Sequence, residues 1–256
     1  MIVARSIAIS IAVLCLAFLT LASGPVSVFA FLTPAPGPRR PGPRAVIPFT
    51  SFDFGDVYTG EVISQVFVIK NVGDADLQIN DFKGECGCTV VRAEKVIAPG
   101  HQAIAEIEVQ TVSQSGVINK TATMHTNDPD QPAVKFTLVA NVLKGAPLRQ
   151  GKYVGPIFLS PDSGGALFAT PGKKTTAEFQ ITSEKAPVKV LRVEVGTSNF
   201  IARVVEEQAG RSYKVLVESR PIEKGGLYKD QIRVVTDHPA LPPFNIDLSL
   251  RVYDAQ

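Results

Sequence analysis

The sequence predicts an all-β protein in which two tandem β-sandwich domains follow an N-terminal hydrophobic helix. Three observations predict this. Apolar and polar residues alternate along several segments, a pattern of glycines and prolines repeats along the chain, and residues 7–22 are almost entirely apolar. The 256 residues include 20 Gly and 19 Pro and contain no Trp, which is typical of strands joined by many turns.

The N-terminal segment has the three parts of a secretory signal peptide. Arg5 supplies a positive charge, residues 7–22 form the apolar region, and Val28-Phe29-Ala30 ends the segment with a small-x-small cleavage pattern. We therefore predict a signal peptide over residues 1–30. The alternative is an uncleaved membrane anchor formed by residues 7–22, although a membrane helix normally needs about 20 apolar residues. Both interpretations place the rest of the chain outside the cytoplasm, in the periplasm, in the cell envelope or secreted.

Residues 31–49 are predicted to be a proline-rich linker. The run TPAPGPRRPGPRAVIP contains too many prolines for a regular strand or helix and favours an extended, semi-rigid spacer. Folded structure is expected to begin near Thr50.

The chain repeats itself at an offset of 110 residues. Gly100 then falls on Gly210 and Gly116 on Gly226, and the stretch that begins at Gly116 aligns without a gap. Repeated glycines and prolines indicate repeated turns, because these residues supply the backbone angles that turns require. We predict two like domains, over residues 50–144 and 152–254.

Period-two alternation identifies the strands. It is clearest in the last strand of each repeat, over residues 134–142 and 244–252, where apolar residues alternate with residues that are polar except for Val139. This alternation is typical of a strand with one face in the core and one in water. Other strands are predicted at 62–71, 77–82, 102–110, 175–182, 188–195 and 212–218. Six or seven short strands per ~100 residues favour an immunoglobulin-like (Ig-like) sandwich.

The first repeat carries a set of motifs in a fixed order. They are Phe52-Asp53-Phe54-Gly55-Asp56-Val57, Gly60-Glu61, Asn71-Val72-Gly73, Cys86-Gly87-Cys88-Thr89, Ile97-Ala98-Pro99-Gly100 and Thr126-Asn127-Asp128-Pro129. In this order they resemble the bacterial family called domain of unknown function 1573. The resemblance covers residues ~50–143 and implies an Ig-like fold in secreted or envelope-attached proteins. The second repeat has no Cys-Gly-Cys-Thr, so it is interpreted as a divergent Ig-like copy.

Cys86 and Cys88 form the one candidate reactive pair. Residues i and i+2 of a strand point to the same face with Cα atoms about 6.6 Å apart, at the wide end of what a disulfide bridges. Gly87 can shorten that distance. Three interpretations stay open: a structural pair or local disulfide, a strained redox-active disulfide, or a two-thiolate site for Cu(I).

No other constellation indicates chemistry. Met124 and His125 should lie on opposite strand faces, while His101 and His238 belong to turns, so the histidines do not complete a metal site. The sequence contains no catalytic triad, Walker loop or dinucleotide fingerprint. We therefore predict no enzyme activity, no catalytic residues and no cofactor or resident metal.

The charge pattern further limits the partners. A net charge of +2 with interspersed signs gives no footprint for nucleic acid, and a membrane would be contacted only through an uncleaved N-terminal segment.

The leading hypothesis is a binding or scaffolding protein of the bacterial cell envelope, with another envelope protein or a polymer as partner. The alternative is a thiol–disulfide or Cu(I)-handling protein that uses Cys86 and Cys88.

Overall fold

The computed structural model describes residues 41–87, 89–145, 149–161 and 166–253. The predicted helix and signal peptide over residues 1–30 lie outside these ranges, as does the greater part of the proline-rich linker. Within the described ranges no helix has the length and apolar character needed to cross a membrane.

The described residues form eighteen strands. The first nine are β1 (Ala45–Val46), β2 (Ser51–Tyr58), β3 (Val62–Asn71), β4 (Leu77–Gly84), β5 (Thr89–Ala93), β6 (Val96–Ile97), β7 (Gln102–Gln110), β8 (Gly116–Thr126) and β9 (Ala133–Leu143). The other nine are β10 (Lys152–Val154), β11 (Ile157–Ser160), β12 (Ala166–Ala169), β13 (Thr176–Thr182), β14 (Val190–Val195), β15 (Phe200–Gln208), β16 (Ser212–Ser219), β17 (Gly226–Thr236) and β18 (Phe244–Val252). The predicted strands at 62–71 and 102–110 have the predicted bounds.

The two halves of the chain share one strand order. In the N-terminal lobe (residues 45–143) one layer has the order β3-β7-β5 and the other β2-β9-β8-β4-β6. In the C-terminal lobe (residues 157–252) the layers are β13-β16-β15 and β12-β18-β17-β14. In the N-terminal lobe β2 pairs in parallel with β9, and in the C-terminal lobe β12 pairs in parallel with β18. The predicted fold class, all-β with two tandem sandwiches, is confirmed.

The repeat offset is visible in the turns. β8 begins at Gly116 and β17 at Gly226, and both glycines have positive φ. Gly100 and Gly210, which precede β7 and β16, have φ values of 75° and 63°. These are left-handed angles that glycine adopts without the steric penalty of a Cβ atom.

One sheet runs through both lobes. β10 pairs in parallel with β3, with Lys152 opposite Val62 and Val154 opposite Ser64. On its other side β10 pairs with β11, which in turn pairs with β13. The layers β3-β7-β5 and β13-β16-β15 thus become one nine-stranded sheet that also includes β1, and residues 40–256 form one compact unit. The sequence does not predict this continuity, and the domain bounds 50–144 and 152–254 stay a prediction.

Two hydrophobic cores lie on either side of the junction. Phe54, Phe67 and Phe136 are among the largest side chains of the first core, and Phe179 and Phe200 among those of the second. Some residues near the junction pack in the core of the opposite lobe. Val66 of β3 packs in the second core, and Tyr153 and Phe158, on β10 and β11, pack in the first.

The folded part of the chain begins before Thr50. β1 pairs with the end of β3, Ala45 opposite Asn71 and Val46 opposite Lys70. The Ala45 side chain is fully buried, and its N–H donates to the buried carboxylate of Asp128 at 2.7 Å. A proline-rich run is expected to leave the chain extended and unpaired. Here Ala45 and Val46, which follow that run, instead pair with β3. The buried carboxylate of Asp128 supplies the acceptor for the Ala45 N–H.

Candidate functional site

The Cys86 turn joins β4 to β5 at the edge of the N-terminal lobe. Cys86 is half-buried and disulfide-bonded, and Cys88 lies outside the described residues. The Thr89 N–H donates to the Cys86 carbonyl at 3.1 Å. The Thr89 hydroxyl lies 3.2 Å from the Cys86 sulfur, and it is the donor because a disulfide sulfur carries no hydrogen.

The two glycines of this turn differ in their surroundings. A Cβ atom added to Gly84 would meet the Thr89 Cβ at 2.6 Å, whereas one added to Gly87 would meet nothing within 4 Å. Gly84 therefore allows the close approach of β4 and β5, and Gly87 faces open space. The neighbouring cation, Lys135, is paired with Glu85 at 3.1 Å on the surface. The turn is tightly held on one side and accessible on the other.

The histidines lie where the strand periodicity places them. Met124 is fully buried and His125 is exposed, so they occupy opposite faces of β8. His101 is exposed, with its Nδ1 atom 3.0 Å from the Pro99 carbonyl. The His238 ring accepts from the Ala240 N–H at 3.2 Å. Among the residues that the structure describes, no three His, Cys, Asp or Glu side chains are grouped as a metal site would require.

A polar network fixes the lobe junction. The Glu61 carboxylate is 2% exposed and accepts from Arg149 Nε and Nη2 at 2.9 and 2.8 Å. It also accepts from the Tyr58 N–H at 2.8 Å. Arg149 extends the network to Glu184 of the C-terminal lobe through a further ion pair, and its guanidinium lies 4.0 Å from the centroid of the Phe158 ring. A buried charge so well paired holds the lobes in one arrangement.

The pKa values at the junction reflect this environment. Burial raises the pKa of Tyr153 above its ordinary value of 10.0, and the negative charges of Glu61 and Glu184 add to the effect. Partial burial opposes ionisation of Arg149, but hydrogen bonds to Glu184 and Glu61 outweigh it and raise the pKa of the guanidinium. Both groups keep their protonated forms at neutral pH.

An inter-lobe cleft with a volume of about 320 Å³ is lined by residues of both lobes. The N-terminal lobe and β10 form one wall and the C-terminal lobe the other, with the lining residues Val66, Arg92, Ala93, Glu94, Ile104, Glu106, Lys152, Val154, Gln231, Phe244, Asn245 and Asp247. Ligand sites occur preferentially at such domain interfaces.

Most of the charges on the N-terminal wall are paired with one another. Glu106 accepts from the Ser64 hydroxyl at 2.9 Å and from Arg92 at 3.2 Å. Lys152 lies 3.6 Å from Glu106 and 3.2 Å from Glu108. This arrangement presents fixed donors and acceptors over an apolar floor formed by Val66 and Ile104.

The sequence does not indicate the cleft or the junction network. Their residues come from strands far apart in the chain, and no local pattern brings them together. The one local signal for the network is Glu61, a charged residue in the turn between β2 and β3, two strands with core-facing residues.

Residues 47–142 match the model of a family described as protein of unknown function (DUF1573). This confirms the resemblance for the first repeat. The DUF1573 segment contains Cys86 and the part of the cleft wall formed by β3, β5 and β7, while the C-terminal wall lies outside it.

Several solved structures match this chain at low identity. A protein of unknown function from Porphyromonas gingivalis W83 is 11% identical, with a TM-score of 0.33, over 76% of this chain and 97% of that one. The N-terminal Ig1-2 module of Drosophila receptor protein tyrosine phosphatase DLAR is 12% identical, with a TM-score of 0.40, over 85% and 100% of the two chains. The ASH/PapD-like domain of human CEP192 is 12% identical, with a TM-score of 0.35, over 47% and 98%. The search of curated proteins found no match.

Proposed function

We propose that this protein is a non-enzymatic binding protein of the bacterial cell envelope, exported by its N-terminal segment, and that its partner contacts the inter-lobe cleft. The observation that carries the proposal is the cleft itself, which both lobes line. A continuous sheet and the Glu61–Arg149–Glu184 network keep its walls at a fixed separation. A preorganised concave surface lowers the entropy lost on binding.

The state of the charged groups favours recognition over catalysis. Arg92 and Lys152 are engaged in ion pairs with Glu106 and Glu108, so they are held as fixed charges.

Site-specific photo-cross-linking in the native bacterium tests the cleft. A photoreactive residue is placed at Glu94 on one wall or at Gln231 on the other, both of which are exposed. Val117, which is 72% exposed and lies outside the cleft, is the matched control position. We expect discrete adducts from both cleft positions and none from Val117. Adducts at all three positions, or at none, would contradict the proposal.

Export is tested on the same cells. Mass spectrometry of the extracytoplasmic protein should find a chain that starts at Phe31, as the cleavage pattern predicts. Intact Met1 in the membrane fraction would instead favour an anchor formed by residues 7–22. A chain confined to the cytoplasm would contradict the envelope location.

A second candidate function is thiol–disulfide exchange or Cu(I) handling at the Cys86 turn. It is favoured by the disulfide at Cys86, on a turn that is only half-buried. Free thiols are titrated against a glutathione buffer while circular dichroism follows the fold. A redox-active disulfide should open without unfolding the domain. A disulfide that opens only on unfolding excludes exchange, and reduced protein that binds no Cu(I) excludes the metal role.

A further inference from the structure

An exposed aromatic pair lies on the outer face of the C-terminal lobe. Phe168 of β12 and Tyr253, just beyond β18, are 55% and 53% exposed, with ring centroids 6.0 Å apart and planes inclined by 16°. The Tyr253 N–H donates to the Ala169 carbonyl at 3.1 Å, which holds the two rings in this stacked arrangement. Leu227, 51% exposed, extends the apolar surface on β17. Exposed apolar groups that lie close together in this way mark interaction sites.

Polar side chains continue from this pair along the same face. β18 alternates between core and surface, and its outward residues Ser249, Asp247 and Asn245 pair with Lys229, Gln231 and Arg233 of β17. Arg251 stands between Phe168 and Leu227 in register. From Asn245 to Tyr253 this polar strip is about 26 Å long by the rise of an extended strand. Its far end enters the inter-lobe cleft, which Gln231, Asn245 and Asp247 also line.

The polar side chains of the strip are fixed by hydrogen bonds to one another, and these bonds do not occupy all of their donors and acceptors. The Gln231 side-chain amide donates to Asp247 at 2.9 Å and its carbonyl accepts from Asn245 at 3.0 Å. Among the described residues, the amide carbonyl of Asn245 and one carboxylate oxygen of Asp247 have no further side-chain partner. Lys229 and Arg251 form no ion pair within the described part of the chain. Fixed amides beside unpaired cations are suited to a ligand that carries both amide and carboxylate groups.

We infer that this strip binds a glycan strand of N-acetylated sugars with carboxylate substituents, the chemistry of the bacterial cell wall. The apolar ring faces of the sugars would stack on Phe168 and Tyr253, as aromatic side chains favour. The acetamido groups would pair with Gln231 and Asn245, and the carboxylates with Lys229 and Arg251. The inference rests on the proposed function and names the class of its partner.

Charge and shape favour a glycan over a nucleic acid. The three cations Lys229, Arg233 and Arg251 are accompanied on the same face by Asp247 and by Glu194, which is opposite Arg233 in register. A phosphate backbone requires a positive surface along its whole length, and these carboxylates would repel it. A sugar chain is charged only at its carboxylate substituents, which would lie at Lys229 and Arg251, so the uncharged sugars between them meet no such repulsion.

Co-sedimentation of the full-length protein with purified peptidoglycan sacculi tests the inference. The substitutions Phe168→Ala and Tyr253→Ala are combined in one variant, and Lys229→Glu forms a second. Ile201→Ala with Val205→Ala is the matched control, because these side chains are 46% and 42% exposed on β15, in the other sheet. Cellulose, which lacks acetamido and carboxylate groups, and single-stranded DNA are the competing probes.

We expect binding to sacculi that weakens at least about tenfold in the aromatic double variant, weakens in Lys229→Glu and is unchanged in the control. Equal binding to cellulose, a preference for DNA, or full binding by the folded aromatic variant would overturn the inference. If sacculi do not bind but Glu94 and Gln231 still cross-link to a protein, the glycan is wrong and the proposed function stands. If neither binding nor cross-linking occurs, both fail.

Discussion

At the scale of single residues, the buried carboxylate of Asp128 has a structural role in the N-terminal lobe that its sequence motif does not indicate. Asp128 belongs to an Asn-Asp-Pro turn, and turn chemistry alone accounts for such a triplet. The structure shows in addition that its side chain is 1% exposed and accepts from the N–H groups of Ala45 and Asp130 at 2.7 and 2.8 Å. The sequence cannot reveal this role, because Ala45 lies far away in the chain.

Replacing Asp128 should loosen β1. Asp128→Ala leaves the buried Ala45 N–H without its acceptor, so we expect the free energy of unfolding to fall by about 2–3 kcal/mol. Urea denaturation measures the change. Asp130→Ala, on the exposed side of the same turn, is the control and should change it by less than about 0.5 kcal/mol. Equal effects of the two substitutions would show that the turn, not the buried bond, determines stability.

Tyr153 should make stability sensitive to alkaline pH. Its folded pKa is raised above the ordinary 10.0, so above pH 10.0 the unfolded tyrosine loses its proton while the folded one keeps it. This favours the unfolded state as pH rises. We therefore expect the stability difference between wild type and Tyr153→Phe to shrink above pH 10.0. Urea denaturation at several pH values measures it, with the exposed Tyr253→Phe as control. A difference that stays constant with pH would exclude this linkage.

At the scale of strands, the sequence predicts what is periodic and local. β3 and β7 have their predicted bounds, and β8 and β17 begin at glycines 110 residues apart, because alternation and turn glycines are local signals. β10 was missed because three residues are too few to show a period. Its pairing with β3 depends on a register between segments about 90 residues apart in the chain.

The approach of β4 to β5 should depend on the absence of a side chain at Gly84. In Gly84→Ala the new Cβ would collide with the Thr89 side chain, so we expect a loss of about 1–3 kcal/mol in the free energy of unfolding. Gly87→Ala, three residues away in open space, is the matched control and should change it by less than about 0.5 kcal/mol. Thermal unfolding measures both. A larger loss from Gly87→Ala would mean that the turn backbone, not the strand contact, is the constraint.

At the scale of the whole molecule, the repeat explains the two sandwiches but not their union. Each half of the sequence predicts its own core, and each half has one. The nine-stranded sheet, the exchange of Val66 and Tyr153 between the cores, and the Glu61–Arg149–Glu184 network all arise at the junction. The candidate cleft exists only because the lobes meet in this way, so the sequence predicts the two sandwiches but not the cleft between them.

The junction should also make the lobes unfold together. Arg149→Ala leaves the buried Glu61 carboxylate without its cation, a change that lowers stability by about 3 kcal/mol and weakens the link between the lobes. Hydrogen exchange at increasing urea should therefore show β8 and β17 losing protection in one transition in wild type, and in two in Arg149→Ala. Lys174→Ala removes a surface ion pair with Glu218 and should keep one transition, because exposed pairs contribute little. Two transitions in wild type would show that the continuous sheet does not couple the lobes. One shared transition in Arg149→Ala would assign the coupling to the β10–β3 pairing instead of the ion pair.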